Sequence, residues 1–359
     1  GYSVNPEIMN KMRASVLVMG PLLAGFGCAK IALPGGCLIG SRPINLHMKG
    51  FEKMGVLIKN ENSFFCASVK KEAKPKGIRI ALEYPSVGAT ENIIMFASLR
   101  NGQTTIVNAS SEPEVLDLIS VMKKMGAKIS YEDGHTINVQ GVTSLNPVMH
   151  SIVPDRLEAG SLLLATSIVG GSIFISNARM DHMDVFLNKL EEMGHKVKIE
   201  INDKENIPLQ GIRFYATNRS KPISFKTGPY PGFPTDLQAQ TMAALCLANG
   251  TSVIEETVFE NRFMHIKELA KMGAQIQVKG SVATVRGIDS LYGCDVIATD
   301  IRASCALVIA GLAASGKTRV AGVSHWRRGY DRLELKLKLL GCDIDVVSDR
   351  EKLVQVIPG

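Results

Sequence analysis

Three stretches of the chain carry residue types and spacings that could do chemistry. The first is "LPGGCLIGSRP" (33–43), in which Cys37 follows two glycines and Arg42 comes five positions later. Cysteines are among the most buried residue types. Glycines around one instead give the backbone a freedom used by loops that carry function. A free thiol titrates near about pH 8.5, and cationic neighbours lower that value. With Arg42 following it and Arg13 in the same region ("NKMRAS"), Cys37 is suited to act as proton donor or nucleophile. A small residue in a tight turn is the alternative reading. The second stretch is "GPYPGFPTDLQAQ" (228–240), where prolines and glycines shape a loop and Thr235-Asp236 stand where a helix should begin. "ATDIRAS" (298–304) repeats that device with Asp300 and Arg302. Each aspartate is either an acid–base group or a helix cap. The third is "HWRRGYDR" (325–332), with Arg327, Arg328 and Arg332 close together and Gly329 permitting a turn. It is an anion site of guanidinium forks or a solvated basic loop.

The elements that must position these residues follow a repeat. Five helix-like segments end at Gly55, Gly126, Gly194, Gly273 and Gly341, spaced 71, 68, 79 and 68 residues apart. A second, interleaved set ends at Gly27, Gly102, Gly171, Gly250 and Gly316, with steps of 75, 69, 79 and 66. Two landmarks agreeing on one period imply duplicated units. Each unit reads as apolar helix, glycine stop, strand, amphipathic helix, glycine stop and further strands. In "VLDLISVMKKMG", Val115, Leu118, Ile119, Met122 and Met125 fall on one helix face, and their plainest role is core filling. Leu333, Leu335, Leu337 and Leu339 alternate as in a strand, but their place in the repeat predicts a helix. "GLAASGKT" (311–318) matches the phosphate-loop pattern. That loop needs a strand before it and a helix after it; here the order is reversed, so the match is rejected. Such units imply α/β domains with helices packed beneath sheets. A domain boundary is expected near 153, where Pro154 breaks a strand pattern, giving domains 1–153 and 154–359.

The composition narrows the function classes. The chain has 359 residues, 45% of them hydrophobic, enough for two cores. The net charge of +7 is dispersed, with no run of five like charges, so nucleic acid is not an expected partner. Small anionic ligands fit that excess. Seven scattered cysteines with no C-x-x-C argue against disulfides and zinc, and the seven histidines form no ligand pair. No metal and no cofactor are expected. The uncharged run 159–178 is split by Gly170-Gly171 and reads as helix, stop and strand, so no membrane span is expected. The chain opens on Gly1 without a signal peptide, and a soluble cytoplasmic protein missing its start is expected.

Taken together, "MRAS", "LPGGCLIGSRPINLHMKG", "PSVGAT", "EPEV", "PDRLEAG", "FPTDLQAQ", "TVFENRFMH", "ATDIRAS" and "RRGYDRLELKLKLLG" resemble the UDP-N-acetylglucosamine enolpyruvyl transferase family (UDP-N-acetylglucosamine 1-carboxyvinyltransferases) over nearly the whole chain. The resemblance implies a two-domain α/β fold, an inverse α/β barrel with three repeat units per domain. Five units are found here; the family's first, with its Lys-Asn pair, is not among them. The implied reaction moves the enolpyruvyl group of phosphoenolpyruvate to the 3′-hydroxyl of UDP-N-acetylglucosamine, with release of phosphate. By resemblance Cys37 is the proton donor, Asp236 the base at the sugar hydroxyl, and Asp300 an assistant in proton movement. Arg42 and Arg328 bind the phosphate and carboxylate of phosphoenolpyruvate, with Arg13 nearby. The nucleotide is expected at Arg42, Pro43, Ile44, Asn45 and Leu46, at Ser86, Val87 and Gly88, and at Val258. Asn45 stands where the family usually has aspartate, and Tyr84 lies near a usual lysine. A monomer is expected. A protein that kept the cleft for binding or regulation without turnover is the alternative.

Overall fold

Ten glycines punctuate the chain where the two series predict them, and all ten have positive φ, between 68° and 139°. Only glycine adopts that backbone cheaply. Gly27, Gly55, Gly126, Gly194, Gly273 and Gly341 lie within two residues of a helix end, and Gly102, Gly171, Gly250 and Gly316 lie just before the next strand of the repeat. The structure, a computed structural model, describes residues 3–9, 12–32, 34–35, 39–40, 44–61, 64–70, 77–202, 209–348 and 353–357.

In its full form the repeat is a short strand, a buried helix, a strand parallel to the first, an amphipathic helix and an antiparallel hairpin. The copy at 78–140 has strands Ile78–Ala81, Gln103–Val107, Lys128–Glu132 and Thr136–Gln140, with helices Val87–Ala97 and Pro113–Lys124. Its strand order is first, second, fourth, third, and the copies at 224–286 and 295–357 have the same order. The copies at 19–69 and 156–215 are antiparallel three-stranded sheets, each with two helices. Even small contacts recur: Gly141 N–H donates to the Gly102 carbonyl, and Gly287 N–H to the Gly250 carbonyl. Leu333–Leu339 is a helix with Leu333 and Leu337 buried, as its place in the repeat predicts. "GLAASGKT" runs from the end of helix Ile301–Ala313 toward strand Thr318–Ala321, the reverse of a phosphate loop.

The chain divides into two compact units, Gly1–Gly36 with Arg42–Val153, and Cys37–Ser41 with Pro154–Gly359. A boundary near 153 alone would leave the whole cysteine loop in the first domain. Among its described residues, Ile39 accepts a hydrogen bond from Asn261 N–H at 3.0 Å, and Gly40 packs against Glu260, which ties both to the second unit. Each unit has its own core. The first is built around Phe51, Phe96, Ile93 and Ile106. In the second, helices Arg156–Val169, Gln238–Leu245 and Ile301–Ala313 pack on one another, and 161–167, 238–245 and 303–312 are buried throughout. Helices apolar on every side belong at the centre. The amphipathic helices show one buried face: Val115, Ile119 and Met122 in one, Phe186, Leu187 and Leu190 in another. No helix among the described residues is long and apolar enough to cross a membrane.

Candidate active site

Three of the five central helices of the repeat open with a side-chain cap. Ser86 accepts a hydrogen bond from Ala89 N–H, Asp155 from Leu157 and Glu158 N–H, and Asp300 from Arg302 and Ala303 N–H at 2.9 and 3.0 Å. These side chains satisfy donors that a helix start leaves unpaired. In the fourth copy Thr235–Leu237 forms a 3₁₀ turn with no side-chain cap. Asp236 is thereby released. One carboxylate oxygen accepts from Arg262 Nη2 and the other from Arg302 Nη2, both at 2.8 Å.

Arg262 is buried and Arg302 largely so, with side-chain exposures of 3% and 12%, whereas the Asp236 side chain is 35% exposed. Desolvation pushes the Asp236 carboxyl up, but the charges and hydrogen bonds of Arg302 and Arg262 outweigh it and hold the group well below the usual carboxylate range. Arg302 also links the two acids, its main-chain N–H donating to Asp300 and its guanidinium to Asp236. Asp300 is buried and lies near His265, whose pKa is lowered by burial and by Arg262 against the opposing charge of Asp300. Arg262 Nη1 is buried and has no hydrogen-bond partner among the described residues.

A buried carboxylate holds the surrounding loops. Glu256 accepts from the Thr227 hydroxyl and from Val258 and Phe259 N–H on one oxygen, and from the Thr235 hydroxyl on the other, at 2.9–3.2 Å. It therefore fixes Val258 relative to the turn that bears Asp236. Arg328 is exposed on helix Val323–Gly329 and lines an open basin of about 910 Å³ with Arg327, Arg332, Tyr330, Asp155 and Glu158. Gly329 sits against Ile301, where a Cβ would collide, beside Arg302. Asp236, Asp300 and the Arg328 segment thus meet at one end of the second unit.

In the first unit Asn92, fully buried, gathers other predicted residues. It donates to the Val16 carbonyl at 3.0 Å and to His47 Nδ1 at 2.9 Å, and it accepts from Gly20 N–H at 2.8 Å. That brings the segment after Arg13, the helix starting at Asn45 and the helix opened by Ser86 and Val87 to one place. Gly88 lies against His47 and Leu17, and a Cβ there would sit 3.1 Å from the imidazole. Ile44 is buried, Asn45 exposed and Leu46 half-buried. Cys37, Arg42 and Pro43 lie outside the described residues. Arg262, Glu256 and His265 are not singled out by sequence. Their segment "ETVFENRFMH" is visible, but nothing in it signals that Arg262 reaches an aspartate 26 positions earlier.

A family model for EPSP synthase (3-phosphoshikimate 1-carboxyvinyltransferase) matches residues 1–337. The chain is 51% identical to UDP-N-acetylglucosamine 1-carboxyvinyltransferase 1 of Staphylococcus aureus, over 96% of this chain and 79% of that protein. It is 46% identical to UDP-N-acetylglucosamine 1-carboxyvinyltransferase of Geobacter metallireducens, over 96% and 80%. Among solved structures, the enolpyruvyl transferase NikO from Streptomyces tendae matches 99% of this chain and 80% of its own, with TM-score 0.83 and 21% identity. EPSP synthase from Acinetobacter baumannii matches 96% and 78%, with TM-score 0.70 and 15% identity. These two likenesses bear on the fold, a two-unit α/β enolpyruvyl-transferase fold. With its repeats, its arginine-held aspartate and sequence identity of this extent, the chain belongs to the carboxyvinyltransferase family that includes EPSP synthase and UDP-N-acetylglucosamine 1-carboxyvinyltransferase.

Proposed function

We propose that the chain transfers the enolpyruvyl group of phosphoenolpyruvate to the 3′-hydroxyl of UDP-N-acetylglucosamine and releases phosphate, the first committed step of peptidoglycan synthesis. The supporting observation is the partly exposed Asp236 carboxylate held between two largely buried arginines, in a chain about half identical to transferases of that name. In the addition step the sugar oxygen bonds to carbon 2 of phosphoenolpyruvate and loses its proton to Asp236, while carbon 3 takes a proton from Cys37. In the elimination a proton passes from the new methyl group back to the Cys37 thiolate and the carbon 2–phosphate oxygen bond breaks. The double bond re-forms as phosphate departs, taking up the proton held by Asp236. Asp300 assists proton movement at that methyl group.

The arginine clamp has a consequence for the base. A carboxylate held low by two guanidiniums is a weak proton acceptor. An incoming phosphate or carboxylate competes for Arg262 and Arg302 and restores basicity to Asp236 as substrate arrives. The spare Nη1 of Arg262 supplies one such anion contact. Arg328, Arg42 and Arg13 add positive charge for the same anions. Ile44, Asn45 and Leu46, Ser86, Val87 and Gly88, and Val258 are assigned to recognition of the nucleotide sugar. We read the protein as a cytoplasmic monomer that works without metal or cofactor. The test is phosphate release from the purified chain supplied with both substrates. Release matched by consumption of UDP-N-acetylglucosamine is the expected result; binding of the nucleotide sugar with no phosphate released overturns the reading.

A further inference from the structure

One buried hydroxyl joins all three repeats of the second unit at the end where the two acids lie. Tyr330 is 3% exposed, its ring 5.3 Å from that of Trp326. Its oxygen lies 3.1 Å from Arg302 Nη1, 3.1 Å from Gln240 Nε2 and 3.2 Å from Ser161 Oγ. Arg302, Gln240 and Ser161 come from the first two turns of the three central helices. Guanidinium and amide nitrogens only donate, so the Tyr330 oxygen accepts from both, and its own proton faces Ser161 and the Cys305 thiol. Ser161 in turn donates to the Leu157 carbonyl at 2.8 Å.

We propose that Tyr330 is a positioning residue, which fixes the plane of the Arg302 guanidinium so that its far edge faces Asp236 and the incoming phosphoenolpyruvate. Nη1 is held by the phenol while Nη2 reaches Asp236 at 2.8 Å, so two points define the plane. A phenol suits this work better than a carboxylate would. It accepts a hydrogen bond without adding a second negative charge beside the guanidinium, which already pairs with Asp236. Burial raises the Tyr330 pKa, so the group stays neutral in the working pH range. Tyr330 also follows Arg328 by two residues, so the hydroxyl anchors the segment bearing that second arginine.

The inference rests on the transferase reading, and Tyr330→Phe tests it by removing one oxygen atom while keeping the ring. Calorimetry with phosphoenolpyruvate on the full chain should show a Kd about tenfold weaker than wild type, the order expected for losing a hydrogen bond to a charged group. In turnover, the KM for phosphoenolpyruvate should rise by a similar factor while that for UDP-N-acetylglucosamine changes less than about twofold. In an Arg302→Lys background, which lacks the fork, Tyr330→Phe should add nothing further. An unchanged Kd, equal rises in both KM values, or full additivity with Arg302→Lys would each overturn the role. If the phenylalanine variant does not fold, Ser161→Ala, which removes one hydrogen-bond partner of the Tyr330 hydroxyl, should weaken phosphoenolpyruvate binding about two- to fourfold, and an unchanged Kd overturns the proposal. Wild type that binds phosphoenolpyruvate without turnover sinks the transferase reading and leaves the Tyr330 measurement standing; wild type that does not bind it sinks both.

Discussion

Asp236 and Asp300 have matching sequence surroundings and different physical work. Asp300 spends its carboxylate on two helix N–H groups, and Asp236 spends its own on two arginines. Removing them should therefore differ in cost. Asp300→Ala loses a helix cap, about 1 kcal/mol. Asp236→Ala leaves Arg262 and Arg302 buried without their counter-charge and should cost about 3 kcal/mol. Urea unfolding of both variants checks this, and equal losses would contradict it. Asp236→Asn should lower kcat about 10²- to 10⁴-fold, the usual reach of a general base. The sequence holds both readings of each aspartate, cap or chemistry, because Thr-Asp before an apolar run fits either. What separates them is the partner on another repeat, and Arg262 carries no sign of its destination in the letters around it.

Secondary elements are the most legible level, because the repeat samples each landmark five times. The glycine stops, the helix at 333–339 and the rejected phosphate loop all follow from the period. The strands Ile78–Ala81, Ser224–Lys226 and Asp295–Ile297 do not, since three or four residues are too few for an alternation to register. They are pinned by parallel pairing to the strand after the next helix, a long-range contact. Two glycines separate the reasons for having glycine at all. Gly126 has φ +102°, and a methyl group added there would make only an ordinary van der Waals contact, 3.7 Å from Asn146 Nδ2. Gly126→Ala should therefore cost only backbone strain, about 1–2 kcal/mol. At Gly141 a Cβ would fall on the Arg100 carbonyl, so Gly141→Ala must also displace backbone. Thermal unfolding should rank Gly141→Ala as the more destabilised, and the reverse order would refute this account of the two positions.

The whole molecule should lose stability in mild acid, through histidines buried neutral in both units. Composition supplies seven histidines and no ligand pattern, but which ones are buried depends on packing that the sequence does not display. His47 in the first unit and His195 in the second are 6% and 5% exposed. Burial, aided at His47 by Arg13, pushes the pKa of His47 down to about 4, and burial pushes that of His195 down to about 4. Each already uses its ring: His47 Nδ1 accepts from Asn92, and His195 Nδ1 accepts from Thr217 N–H with Ser220 at its other nitrogen. An unfolded histidine takes up its proton near about pH 6.5. Between that value and about pH 4 each of these two histidines binds its proton in the unfolded chain and not in the folded one, so its contribution to stability falls as pH falls through this window. Glu91, whose carboxyl burial and Glu114 push up to about 7, has the opposite trend. The slope is at most about 1.4 kcal/mol per pH unit for each histidine. Asp236 acts in a lower window: its depressed pKa gives a contribution that is complete above about pH 4 and fades only below it. Melting temperatures from pH 7.5 to 4.5 should therefore decline in wild type. His47→Gln and His195→Gln should each start lower at pH 7.5 and decline less steeply, since the buried proton acceptor is gone. If both variants keep the full wild-type slope, other groups carry the acid response and the neutral buried imidazoles are not its source.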